Sequence, residues 1–143
     1  MKRRQLEIVA AVAYQVREWA EAYAEDAHFD DDLCGLCAIA SGELHSRLKR
    51  KGIDSTLHLF EGEWWGHCFV EVGEYVVDVT VTQFDVKDKV AIEPITMARK
   101  HPFWNSHKAF NTVKNLKKYQ RQTRWPSEQV DIQRGWKYDD CRV

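Results

Sequence analysis

The sequence predicts a single α+β domain in which two helices precede a small antiparallel sheet. The first third of the chain repeats apolar residues at three- and four-residue steps, the period of an α-helix. After residue 53, polar and apolar residues alternate, as in a strand. Helices followed by strands with short turns are typical of α+β folds. A length of 143 residues suits one such domain. We therefore expect residues 1–143 to form it, with residues 85–143 as an irregular or helical C-terminal extension.

The two helices are predicted at residues 5–27 and 36–51. No Gly or Pro interrupts the first, and Gly52 follows the last turn of the second, where a glycine often caps a helix. The positions of the first helix expected to face the core are Leu6, Ile8, Val9, Val12, Ala13, Val16, Trp19, Ala20 and Tyr23. In the second helix they are Ile39, Leu44 and Leu48.

Three strands are predicted next, at residues 53–60, 67–72 and 75–81. Residues 62–66 read as a turn, and Gly73-Glu74 is short enough to join the second and third strands as an antiparallel hairpin. Beyond residue 85 the helical and strand periodicities weaken, and Pro94 and Pro102 interrupt regular structure. A basic helix is expected from about residue 106 to 123, ending before Trp125-Pro126.

Composition narrows the class of protein. Hydrophobic residues make up 44% and charged residues 30%, a mixture typical of globular proteins, and a net charge of −1 argues against a nucleic-acid polycation. We expect no membrane helix, because no apolar run approaches about 18 residues. Acidic residues from Glu7 onwards follow the basic N-terminus, which is not typical of a signal peptide. A cytoplasmic location is therefore expected.

Four cysteines are too few for a disulfide scaffold of this length, and Cys37 has the most informative position among them. It begins the second predicted helix, directly after Gly35-Leu36. A helix N-terminus offers unpaired backbone N–H groups and a partial positive charge, which stabilise a thiolate. The same amides can bind the oxyanion of a tetrahedral intermediate.

His67 and Asp78 are predicted to be neighbours across the hairpin. Both lie in strands joined by Gly73-Glu74, within about two residues of directly opposed positions. A carboxylate between Val77 and Val79 is costly to bury unless it is paired, and an imidazole N–H would pair it. Asp78 would then orient the ring of His67 towards Cys37.

The segments around these three residues resemble the transglutaminase-like branch of the papain-like thiol enzymes. They read Gly-Leu-Cys-Ala-Ile-Ala-Ser at residues 35–41, Gly-His-Cys-Phe-Val-Glu-Val at 66–72 and Val-Asp-Val-Thr at 77–80. Family members often read Gly-x-Cys, His-x-Trp-x-Glu-Val and Val-Asp-x-Thr in this order. Cys68-Phe69 departs from the usual small residue and Trp. The continuation Thr82-Gln83-Phe84 is similar to small prokaryotic and phage-borne members.

The resemblance implies a papain-like core with Cys37 as nucleophile, His67 as base and Asp78 as orienting acid. It covers residues 33–84 and implies acyl transfer on an amide, as in peptidases, amidases, deamidases and transglutaminases, with a protein or peptide substrate. Trp64, Trp65 and Gln83 are candidate residues of the substrate cleft. No cofactor is expected. The family includes inactive members, so a catalytically silent binding protein of the same fold is the alternative.

Two other features allow different interpretations. Cys34 and Cys37 form a CxxC pair, but one such pair is a weak metal signal, and adjacent His67 and Cys68 point to opposite faces of a strand. We expect no metal site. Residues 108–125 carry Lys and Arg with Phe110, Tyr119 and Trp125 between them, a pattern that also suits nucleic-acid binding. We favour a packed helix with solvated lysines over nucleic-acid binding.

Overall fold

A computed structural model describes residues 1–29, 33, 35–62, 66–84 and 86–122. It is an α+β fold with four helices and a five-stranded antiparallel sheet in the described part of the chain. The α+β class is thus confirmed. Of the predicted site residues, Trp64 and Trp65 lie outside the described residues, as do Cys34, Cys141 and Trp125.

Two long helices cover one face of the sheet. Helix α1 spans Arg3–Asp26 and helix α2 spans Cys37–Arg50, close to the predicted bounds. Gly52 adopts the left-handed conformation, with φ of 75°, that a glycine accepts after a helix end. Among the described residues, neither these nor any other helix is long and apolar enough to cross a bilayer.

The buried stripe of each helix is narrower than the sequence indicated. Ile8, Tyr23 and Ile39 were expected to face the core, but they are exposed by 38%, 37% and 42% of their surface. Ile8 and Ile39 each precede a fully buried residue, Val9 and Ala40, by one position. One position rotates a side chain by about 100° around the helix, which moves it from the packed face to the edge of the stripe.

The sheet has the strand order β4-β3-β2-β1-β5, and every neighbouring pair is antiparallel. The strands span Thr56–Glu61 (β1), Gly66–Val72 (β2), Tyr75–Asp78 (β3), Ala91–Pro94 (β4) and Lys108–Phe110 (β5). The predicted hairpin between β2 and β3 is confirmed, with Gly73 at φ of 58° in its turn.

Strand β1 begins at Thr56 and not at residue 53, and larger differences from the prediction lie after Asp78. Strand β3 ends at Asp78 and not at residue 81, because the Asp78 carboxylate accepts the backbone N–H of Thr80 and the chain then forms a 3₁₀ turn at Val81–Phe84. The last helix, α4, spans only Val113–Gln122, because residues 108–110 pair with β1 as a strand. Strands β4 and β5, with the short helix α3 at Ile95–Ala98, lie where an irregular or helical extension was expected.

Each face of the sheet has its own core. Alternate residues of β2 point to opposite faces, so that Cys68 and Val70 pack under the two long helices, whereas Phe69 packs against Phe103 and Trp104 on the other face. Residues 102–104 form a 3₁₀ turn that covers this second face. The sheet is therefore buried on both sides around β2 and β3.

Arg17 ties α1 to the chain that follows β3. Its side chain is 3% exposed, and its Nη1 lies 3.2 Å from the carbonyl of Val79, 2.8 Å from Thr82 Oγ1 and 3.1 Å from the carbonyl of Lys89. A buried guanidinium is stable only when such acceptors surround it. Arg17 therefore holds the segment between β3 and β4 against α1.

Leu44→Ala is expected to lower the free energy of unfolding by about 2–5 kcal/mol, because Leu44 is fully buried beneath α2 and its loss leaves a cavity. Ile39→Ala, on the same helix but exposed, should change it by less than about 0.5 kcal/mol. Urea denaturation of both variants measures the difference. Equal losses would contradict an α2 that turns Leu44 inward and Ile39 outward.

Candidate active site

Cys37 is the first residue of α2. The chain reaches it through Leu33 and Gly35, both in the left-handed region with φ of 66° and 90°, and the N–H of Leu36 donates to the carbonyl of Leu33 at 3.1 Å. The N-cap residue, Leu36, provides no side-chain cap. The N–H groups of the first turn, which have no acceptor within the helix, lie beside Cys37, a residue that is 4% exposed.

His67 is fully buried at the start of β2, inside an aromatic cage. The ring of Phe84 meets the imidazole edge-on at 4.6 Å between centroids, Phe103 does so at 6.3 Å, and Phe69 is stacked at 6.1 Å. Phe84 and Phe103 stack on each other at 4.1 Å. Because these rings exclude water, hydrogen bonds to the imidazole are strengthened.

Asp78 is the partner of His67, as predicted. The register pairs Val70 with Val77, so His67 and Asp78 lie on the same face of neighbouring strands at diagonal positions. Nε2 of His67 lies 2.7 Å from Oδ2 of Asp78, and both side chains are completely buried. The predicted proximity of these two residues is confirmed.

The Asp78 carboxylate receives three further donors. Nε1 of Trp104 donates to Oδ2 at 2.8 Å, and the backbone N–H and hydroxyl of Thr80 donate to Oδ1 at 2.9 and 3.3 Å. Burial raises the pKa of Asp78, but the charge and hydrogen bond of His67, helped by Trp104 and Thr80, outweigh it and lower the pKa below its usual value. Asp78 is therefore ionised at neutral pH.

The imidazole of His67 is held protonated by its neighbours. Burial lowers its pKa, but the charge of Asp78, the Asp78 hydrogen bond and a hydrogen bond with Cys37 outweigh it and raise the pKa to about 9. The Cys37 side chain thus lies close to the ring. With Nε2 bonded to Asp78, Nδ1 is the ring nitrogen that remains.

Gln83 contacts the same ring nitrogen. Its Nε2 lies 3.0 Å from Nδ1 of His67 and 3.1 Å from Oγ1 of Thr80, and the residue is 3% exposed. In this orientation the amide donates to a neutral imidazole, and a half-turn of the amide presents its oxygen to a protonated one. Gln83 was expected in the substrate cleft, and in the structure it lies against the base.

Trp104 is the site residue that the sequence did not reveal. It follows Asp78 by 26 residues and is held by the 3₁₀ turn at Pro102–Trp104, a region without periodic signals. The only hint was an aromatic residue next to Phe103 just after a proline, which is typical of many core positions.

Cys68 lies on the opposite face of β2 from His67, in the same buried cluster as Cys37. It is fully buried under α2, where the Ser41 hydroxyl donates to its carbonyl at 3.1 Å. Burial raises the pKa of this thiol well above its usual value, so Cys68 stays a thiol at neutral pH. In the described part of the chain, no group of three or more His, Cys, Asp or Glu residues is placed to hold a metal ion.

Comparison with known proteins gives no relative to set beside this site. No family model, no curated protein and no solved structure matches the chain. The chemistry of the site must therefore be argued from its own residues.

Trp104→Phe is expected to lower the free energy of unfolding by about 1–3 kcal/mol at neutral pH, because it removes one donor from a buried, ionised carboxylate and keeps most of the ring packing. Trp19→Phe is the matched control, since Trp19 packs half-buried on the core under the two long helices and not on the cluster that contains Trp104. Denaturant titration of both variants measures the difference. A loss for Trp19→Phe as large as that for Trp104→Phe would contradict the importance of the hydrogen bond.

The raised pKa of His67 predicts a contribution to stability that depends on pH. The folded protein holds this proton up to about pH 9, whereas an unfolded histidine releases it near 6.5. The contribution is therefore complete below pH 6.5 and is lost as the pH rises towards 9, at up to about 1.4 kcal/mol per pH unit. Unfolding measured across this interval should show the slope in wild type and lose it in His67→Gln.

His45→Gln is the control for that titration. Burial lowers the pKa of His45, so the contribution of His45 to stability changes with pH only below pH 6.5. This variant should keep the wild-type slope between pH 6.5 and 9. NMR of the imidazole groups gives an independent readout in the unaltered protein. A His67 ring that titrates near pH 6.5 would overturn the assignment.

Proposed function

We propose that this protein is a thiol enzyme with a papain-like, transglutaminase-like core that transfers the acyl group of an amide through a covalent intermediate on Cys37. The observation that carries the proposal is the buried chain of contacts from Cys37 to His67 to Asp78, closed by the 2.7 Å contact between Nε2 and Oδ2. Nucleophile, base and orienting acid follow one another in the way that acyl transfer requires.

Asp78 and His67 prepare the thiol. Because the Asp78 carboxylate accepts a hydrogen bond from Nε2–H, the ring is held in one orientation, with Nδ1 as the nitrogen that exchanges a proton with Cys37, and is stabilised as an imidazolium. A proton that passes from Sγ to Nδ1 leaves a thiolate beside the first turn of α2. The partial positive charge of that helix end then stabilises the thiolate.

Bond exchange then follows in two steps. The thiolate attacks the carbonyl carbon of an amide, and the developing oxyanion is bound by N–H groups of the first turn of α2. As the C–N bond breaks, His67 gives its proton to the leaving amine, and a thioester remains on Cys37. Water or a second amine, deprotonated by His67, attacks the thioester and restores the thiol.

This chemistry suits peptide or glutamine amides. The three side chains supply nucleophile, proton and orienting charge, and the helix end supplies the oxyanion site, so no cofactor has a step to perform. The aromatic cage around His67 excludes water from the ion pair, which strengthens it during the reaction. Hydrolysis or transfer to an amine depends on which acceptor reaches the thioester.

Iodoacetamide is expected to alkylate Cys37 at about pH 6.5 at least about tenfold faster than Cys68, and His67→Gln should remove most of this advantage. The reason is that His67, beside Cys37, can accept its proton, whereas burial raises the pKa of the Cys68 thiol. Mass spectrometry of each cysteine over time gives both rates in one sample.

The control for this experiment is His45→Gln, which removes another buried histidine, one bonded to Ser55 and carried by α2 itself. It should leave the alkylation rate of Cys37 unchanged. To separate a reactive thiol from an acyl-transfer enzyme, p-nitrophenyl acetate should give nitrophenol with turnover in wild type and none in Cys37→Ala. If Cys37 has the reactivity of an ordinary thiol, and this is the same in wild type and His67→Gln, the result would favour a catalytically silent binding protein.

A further inference from the structure

Helix α4 carries its charges on one face. Leu116 and Gln120 are buried towards the domain, and Val113 packs on the core. The opposite face holds four exposed cations at three- and four-residue steps, which aligns them along the helix. We call this set the cationic ridge: Lys114, Lys117, Lys118 and Arg121.

The cationic ridge is not neutralised within the described part of the chain. None of its four side chains forms an ion pair with any residue that the structure describes, and α4 contains no acidic residue. Like charges three and four residues apart destabilise a helix, and Lys114 lies in the first turn, where the helix dipole disfavours a cation. The arrangement therefore costs α4 stability, and an anionic partner from outside would offset that cost.

The cationic ridge lies on the Cys37 side of the sheet, at the end where His67 begins β2. Leu116 belongs to the same buried cluster as Cys37. The Tyr119 hydroxyl contacts both carboxylate oxygens of Glu61, at 2.9 and 2.7 Å. Glu61 is paired in the sheet with Gly66, the residue before His67. These contacts hold the second half of α4 at the end of β1 and β2 from which His67 projects.

We infer that the cationic ridge binds an acidic segment of a protein substrate and thereby places an adjoining amide at Cys37. The inference names the substrate class of the proposed acyl transfer and rests on that proposal. Nucleic acid is the less suitable occupant. Tyr119 and Phe110 pack on each other at 5.4 Å, and Tyr119 is also engaged by Lys108 and Glu61. These aromatic rings are used within the fold and are not free to stack bases.

The test compares two chloroacetamide peptides that differ only in flanking runs of Glu or of Gln. Wild type should be labelled at Cys37 by the Glu peptide at least about tenfold faster in about 0.05 M NaCl, and the preference should shrink in about 0.5 M NaCl. Replacing all four ridge residues by Gln should remove the preference. Mass spectrometry of Cys37 gives each rate.

The matched control replaces four other exposed cations by Gln: Lys2, Lys51, Lys87 and Lys100. It changes the net charge equally and should keep the preference for the Glu peptide. Iodoacetamide should label Cys37 at the same rate in wild type and both variants, because it carries no charge. Denaturation midpoints check that both variants fold.

The outcomes separate the two proposals. Rapid, His67-dependent alkylation by iodoacetamide without preference for the Glu peptide overturns the role of the ridge and leaves acyl transfer standing. Slow alkylation that ignores His67 overturns acyl transfer, and the substrate role of the ridge with it. Binding of a fluorescent oligouridine that is lost in the ridge variant, with no preference for the Glu peptide, assigns the ridge to nucleic acid and rejects the acidic protein.

Discussion

The buried contact between His67 and Asp78 is the interaction on which the rest of the site depends. Two ionised groups without solvent are stable only if each has partners for its remaining donors and acceptors. Four groups supply these partners. Trp104 and Thr80 donate to Asp78, and Gln83 and the Cys37 thiol interact with His67. The need for these polar partners explains much of the chain's path around the site. The end of β3 and the 3₁₀ turns on either side of β4 place these partners.

A second polar group lies on the same face of the sheet, beyond Phe69. Glu71 accepts from Arg99 at 2.5 Å and lies 3.3 Å from Nε2 of His58. The His58 ring stacks on Phe69 at 5.6 Å, and Phe69 in turn stacks on His67. Phe69 therefore separates two polar clusters, and its ring lies between the Glu71 carboxylate and the imidazole of His67.

The sequence was most informative where contacts are local. A hairpin of known turn determines which residues lie across from each other, so His67 and Asp78 could be paired from spacing alone, and the start of α2 could be located from Gly35 and the helical period that follows. Trp104 could not be found in this way. Its bond to Asp78 depends on how 26 intervening residues cross the sheet, and no period encodes that path.

The same limit explains the missed edges of the sheet. Strands β4 and β5 have four and three residues, too few to show alternation, and Pro94 ends β4. The exposed positions of Ile8 and Ile39 show a different limit. Periodicity marks the centre of a buried stripe well, but its width depends on the curvature and spacing of the partner surface, which the helix sequence does not contain.

Arg17 and Trp104 also bear on the order in which the protein matures during synthesis. When the chain has emerged from the ribosome as far as Asp78, the thiol, the imidazole and the carboxylate all exist, but the donors that make their burial tolerable do not. The acceptors of Arg17 lie up to 72 residues later in the chain, and Trp104, which donates a hydrogen bond to Asp78, also follows later. The polar surroundings of the buried pair are therefore complete only after residue 104 has been translated, so this part of the fold assembles late in synthesis.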